Sequence, residues 1–131
     1  MKHTVRRYLC ELAVAATLTG CVTVTTTDGE RLSMKSSRFQ DYVERVFREQ
    51  NHWATELLDA QDGAEGERYE ELVSAEDALL AACAGLNELA TARRDARVLA
   101  PLRQARLARS APECEMITSS VRELISRESE P

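Results

Sequence analysis

From about Arg38 to Ala60, and again from about Glu67 to at least Thr91, apolar residues return at steps of three and four. That spacing puts each set on one side of an α-helix, and two such stripes in tandem constrain the chain to pack helix against helix. The first stripe is Phe39, Val43, Val46, Trp53 and Leu57, flanked by Tyr42, Phe47, Ala54 and Leu58. The second is Tyr69, Leu72, Val73, Leu79, Leu80, Cys83, Leu86, Leu89 and Ala90. Asp62-Gly63 and Gly66 separate them. Ser37-x-x-Gln40 has the form of a capping box, with other serines from Ser33 onward nearby. Composition agrees, since aromatics are only 5% of the chain while Ala, Leu, Arg and Glu dominate it.

Beyond Thr91 the pattern loosens. Pro101 must end a helix or open one, which predicts a break near 95–100 and a short helix over about 101–109. Leu99, Leu102 and Ala105 share a side of that helix, but Arg106 and Arg109 fall there too. The last helix is clearer. Ser110-Ala111-Pro112-Glu113 combines a capping box with Pro in the first turn, and Cys114, Ile117, Val121 and Leu124 then step along one face with Ile125 beside them. The small patch Ala81 to Gly85 suits close approach of a neighbour, a reason to tolerate a helical glycine that costs about 1 kcal/mol. The expected fold is all-α: a small bundle of three main helices plus a short one, over 37–127, with a disordered tail at 128–131.

The N-terminus carries a different kind of signal. Lys2, Arg6 and Arg7 precede an apolar run from Leu12 to Leu18, followed by Leu18-Thr19-Gly20-Cys21. A basic start, an apolar stretch and small residues before the cut are the parts of a secretory signal peptide. The ending resembles the lipobox of bacterial lipoproteins at all four positions. The resemblance implies removal of 1–20, lipidation of Cys21 and anchoring in a membrane of the cell envelope. Val22 after that Cys, with no Asp there, resembles the outer-membrane sorting pattern and implies the periplasmic face. Processing would make the chain more acidic than its formal −5, because three cations leave with only Glu11. A net-acidic chain is a poor partner for nucleic acid.

Under this resemblance the four cysteines divide. Cys10 leaves with the signal and Cys21 takes lipid, so Cys83 and Cys114 remain as an even pair in an oxidising compartment. A Cys83–Cys114 disulfide is expected, against the alternative of two buried thiols. Residues 21–36 read as a Thr-rich tether. Val22 to Thr27 is β-branched and Asp28-Gly29 is a familiar two-residue turn, so a hairpin returning through Leu32 and Met34 and a flexible spacer are both open.

Catalytic signatures do not emerge. No nucleophile elbow, zinc-binding helix or phosphate-cradling glycine loop appears, no catalytic residue, metal ligand or cofactor is assigned, and a hydrolase is the remotest class. His52, between Arg48 and Glu56, reads as an exposed helix pair. Twelve acids against Arg45, Arg48 and Arg68 occupy 41–77 and read as a solvated helix face. The unusual feature is Arg93, Arg94, Arg97, Arg103, Arg106 and Arg109 against Asp95 alone. This block either folds against the acidic helices or binds an anion or partner outside the domain. The functional expectation is a lipid-anchored envelope protein acting by protein–protein interaction or assembly. The alternative is a binder of anionic envelope lipid or polysaccharide through Arg93 to Arg109.

Overall fold

The computed structural model describes residues 22–127. The segment read as a signal peptide (1–20), Cys21 and the tail at 128–131 lie outside them. The chain runs through strands β1 (Thr23–Thr25) and β2 (Arg31–Ser33), then helices α1 (Ser37–Asp62), α2 (Gly66–Arg94), α3 (Pro101–Ala108) and α4 (Ala111–Ser126). This is the expected small helical bundle with one disulfide.

Helix α1 starts one residue earlier than the capping box proposed. The cap is Ser36, whose Oγ accepts from Phe39 N at 3.1 Å, and Ser37 is already helical. Three residues at the turn separate α1 from α2, which sends α2 back alongside it. Phe39 and Val43 of α1 accordingly share a crevice with Leu89 and Arg93 near the far end of α2. The core between these helices and α4 is built on Val46, Leu57, Leu72, Leu79, Leu86, Cys83 and Cys114, all fully buried.

Helices α3 and α4 are nearly one helix with a bend. Arg109 and Ser110 keep right-handed helical backbone, and Cys114 N donates to Ser110 O at 3.0 Å. Pro112 has no N–H to continue the ladder, which places the bend just before it. The capping box expected at Ser110 therefore does not form. Ser110 Oγ turns back to Leu107 O at 2.6 Å, because a residue inside a continuing helix has no open N-terminus to cap.

The Cys83–Cys114 disulfide joins α2 to the first turn of α4, with Cα atoms 4.6 Å apart. Closing a loop across 31 residues removes roughly 3–4 kcal/mol of unfolded-state entropy in the chain-entropy model. Gly85 sits beside this junction. A Cβ there would overlap Ser110 Oγ, so its absence is what lets the bend of α3–α4 lie against α2.

The segment read as a tether is folded from Val22 onward. The strands pair antiparallel in the register Thr23↔Ser33, Val24↔Leu32, Thr25↔Arg31. The turn is longer than the two residues expected. Thr26 N donates to Glu30 O at 2.8 Å and Gly29 N to Thr26 O at 3.0 Å, with Gly29 at φ +85°. That is the three-residue loop that ends on a left-handed glycine. Val24 and Leu32, directly opposite each other, are buried in the core. At about 1.5–3 kcal/mol for each buried side chain, this contact stabilises a hairpin that would be marginal alone.

Candidate functional site

The arginine block gathers at one end of the bundle. Arg93 and Arg94 end α2, Arg97 lies in the connection, Arg103 and Arg106 are on α3, and Arg109 is at the bend; all six are exposed. The turn out of α2 is tight. Arg97 N donates to Ala92 O at 2.8 Å and Ala96 N to Arg93 O at 3.1 Å, with Ala96 itself left-handed at φ +52°. This is the Schellman arrangement, in which glycine is the usual occupant.

Apart from Arg103, these side chains do not fold against the acidic helices. Arg94 and Arg97 share Asp95 at 3.1 and 3.8 Å, a local and solvent-exposed grouping of small energetic weight. Only Arg103 reaches another helix, meeting Glu88 of α2 at 2.5 Å. Arg93, Arg106 and Arg109 form no ion pair among the described residues. Of the acids of 41–77, those on α2 lie in its first half, whereas Arg93 and Arg94 close that helix; Asp41 and Glu44 open α1, whose start packs beside the arginine end.

Beside Arg93 and Arg97 a cavity of about 240 Å³ opens over Leu89, Ala92, Val98, Leu99 and Gln104. A narrow crevice of about 20 Å³ shares Leu89, Arg93 and Gln104 with it and is closed on the other side by Met34, Phe39, Gln40 and Val43. Met34 N donates to Val22 O at 3.1 Å. The start of the described chain thus sits next to the basic end of the molecule. Val98 and Leu102, 99% and 85% exposed, project from this end among the arginines.

A second exposed apolar group occupies the other half of α2. Tyr69 and Leu80, expected on the buried stripe, are 47% and 54% exposed, and Leu58 of α1 is 50% exposed. Tyr69 and Leu80 are eleven residues apart, three helical turns, so they share one line on α2. Between them Glu76 accepts from Gln61 Nε2 of α1 at 2.8 Å, and Gln61 lies one turn from Leu58. The three side chains therefore belong to the seam of α1 and α2, amid the acids. Their stripe positions were legible; their exposure was not, because α4 covers α2 along its Leu72, Leu79 and Cys83 side.

A buried polar junction escaped sequence reasoning altogether. Glu115 of α4 accepts from Thr27 Oγ1, Tyr42 Oη and an Arg45 guanidinium nitrogen, each at 2.8 Å. Burial alone would raise its pKa, but the hydrogen bonds from Arg45, Thr27 and Tyr42 outweigh it and hold the carboxyl below its ordinary value. Burial, then the bond to Glu115, pushes the Tyr42 phenol well above its ordinary range. The junction ties hairpin, α1 and α4 together. An open groove of about 430 Å³ runs past it, lined by hairpin acids Asp28 and Glu30 and by Arg38, Arg45 and Arg48 of α1. Each of those arginines is paired: Arg38 with Glu30 in the groove, Arg45 with Glu115, and Arg48 with Glu44 at 3.4 Å.

His52 is the exposed pair it was expected to be, with Nδ1 4.0 Å from Glu56. Among the described residues no His, Cys, Asp and Glu side chains assemble as a metal site, and no helix is long and apolar enough to cross a membrane. No family model, curated protein or solved structure matches the chain.

Proposed function

We propose that this is a lipid-anchored cell-envelope protein, held through Cys21 on the periplasmic face of the outer membrane, that acts by binding another envelope protein and not by catalysis. The anchor rests on the lipobox resemblance of Leu18-Thr19-Gly20-Cys21. The observation that carries the binding role is the exposed group Leu58, Tyr69 and Leu80 at the acidic end. Three large apolar side chains grouped on one seam gain nothing from solvent. Such a group, rimmed by charge, is the usual composition of a docking surface. Its surroundings choose the partner. Glu65, Glu67, Glu70, Glu71, Asp59 and Asp62 favour a protein whose apolar groove is edged by Lys or Arg.

The test is crosslinking in cells with a photoreactive residue at position 58, 69 or 80. All three are half exposed, so replacement leaves the core intact. The expected outcome is a discrete protein adduct from each, identified by mass spectrometry, with the same partner at all three. Adducts absent from all three positions, or a different protein at each, would remove this surface as the binding site.

A further inference from the structure

We propose that the basic end of the bundle, centred on Arg93, Arg97 and Arg106 with Val98 and Leu102, docks on a bilayer surface rich in anionic phospholipid and so fixes the orientation of the domain on its membrane. The inference rests on the lipid anchor at Cys21. Three independent observations point to lipid as the occupant.

The first is the chemistry of the surface. Val98 and Leu102 stand almost wholly in solvent at 99% and 85% exposure; Val98 borders the same cavity as Arg93 and Arg97, and Arg106 lies one helical turn from Leu102. Aliphatic side chains flanked by cations are what an interfacial membrane contact needs: the apolar groups enter the boundary of the head groups while the cations meet phosphate. Each cation near an anionic surface adds to the attraction. Arg93, Arg106 and Arg109 are free of ion pairs among the described residues, so docking breaks none of their bonds.

The second is position. Val22, the residue after the proposed lipidated Cys, is hydrogen-bonded to Met34, and Met34 lines the same crevice as Arg93 and Gln104. The anchor therefore leaves the fold beside the basic end, so a lipid chain on Cys21 brings these arginines to the head groups. Tethering converts weak docking into an intramolecular step at high effective concentration.

The third is the segregation of charge along α2. At 1.5 Å per residue, Leu80 lies roughly 20 Å and Tyr69 roughly 36 Å from Arg93 along the helix axis. An anionic bilayer attracts the arginine end and repels the acidic one, so the bundle stands with the α1–α2 turn away from the membrane. The proposed partner surface is then the part furthest from the lipid.

The experiment uses the processed, full-length protein purified from cells, with Leu102→Cys carrying an environment-sensitive fluorophore. Cys83 and Cys114 are occupied by their disulfide, and residue 102 is exposed enough to label without disturbing packing. Vesicles are made of phosphatidylcholine alone, or of phosphatidylcholine and phosphatidylglycerol in equal parts. Flotation reads the anchor; emission reads docking. The protein is expected to float with both vesicles, while the label shifts to the blue and brightens several-fold only on the anionic ones. High salt should reverse that shift, as should Arg93→Gln, Arg97→Gln and Arg106→Gln combined. A label at Leu80→Cys should not respond. Flotation with an unresponsive label at 102, or an equal response on both vesicles, overturns docking and leaves the anchor standing. Flotation and response on anionic vesicles alone would remove the anchor and leave the docking face. Flotation on neither rejects both, and protein adducts from a photoreactive residue at 102 in cells would reassign the face to an acidic protein.

Discussion

At the scale of single residues, Ala96 adopts a conformation that its side chain disfavours. Its left-handed backbone, at φ +52°, completes the Schellman turn after α2. In that region Cβ crowds the following carbonyl oxygen, at a cost of roughly 1–2 kcal/mol for a residue other than glycine. Ala96→Gly should therefore raise the urea midpoint, by about 1 kcal/mol of stability, without altering the slope. A lowered midpoint would mean that restricting the unfolded chain matters more here than relieving the folded one. Nothing in the sequence announced this turn, because the usual announcement is a glycine. Gly85 shows the opposite case. Its place among Ala81, Ala82 and Ala84 suggested close approach, and Ser110 is what approaches. The helix caps were legible only to within a residue. Serines at 33, 36, 37 and 110 all had cap chemistry, and the choice among them depends on where the backbone turns.

Among the elements, both long helices, the short one at Pro101 and the last helix follow from the spacing of apolar residues and from proline. The hairpin was one of two open outcomes. What decided it is tertiary: Val24 and Leu32 find buried places, and Thr27 reaches Glu115, 88 residues away. Glu115 itself was invisible to a reading that follows apolar side chains. Its partners Thr27, Tyr42 and Arg45 come from two other elements, and no local pattern links them. Because the native state lowers the pKa of Glu115, its contribution is present above the ordinary carboxylate value of about 4.3 and is lost as pH falls through the folded value. Glu115→Gln removes the charge that three donors share. It should cost about 2 kcal/mol near pH 7, with the gap from wild type closing below about pH 4 as the wild-type carboxyl takes up its proton. A gap that persists unchanged into acid would assign the loss to packing and not to the ionised carboxylate.

Taken whole, the molecule is a small bundle of α1, α2 and the bent α3–α4, and along α2 the acids lie early and the arginines at the end. The stripes and the cysteine pair carried enough information for the bundle and the Cys83–Cys114 bond. They did not carry the distance between the two sets of charge, which comes from α2 being one helix of 29 residues. Nor did they reveal that Val22, the first described residue, lies beside the arginines. That relation makes the proposed lipid on Cys21 central to the account, because such an anchor would set which end meets the membrane and which is left for a partner. The direct test is growth with a labelled fatty acid of cells producing the wild type or Cys21→Ala. The wild type should take up label and migrate as a processed chain, whereas Cys21→Ala should take up none and persist as an uncleaved or differently cleaved precursor. Equal labelling of the two, or no label on the wild type, would contradict the account.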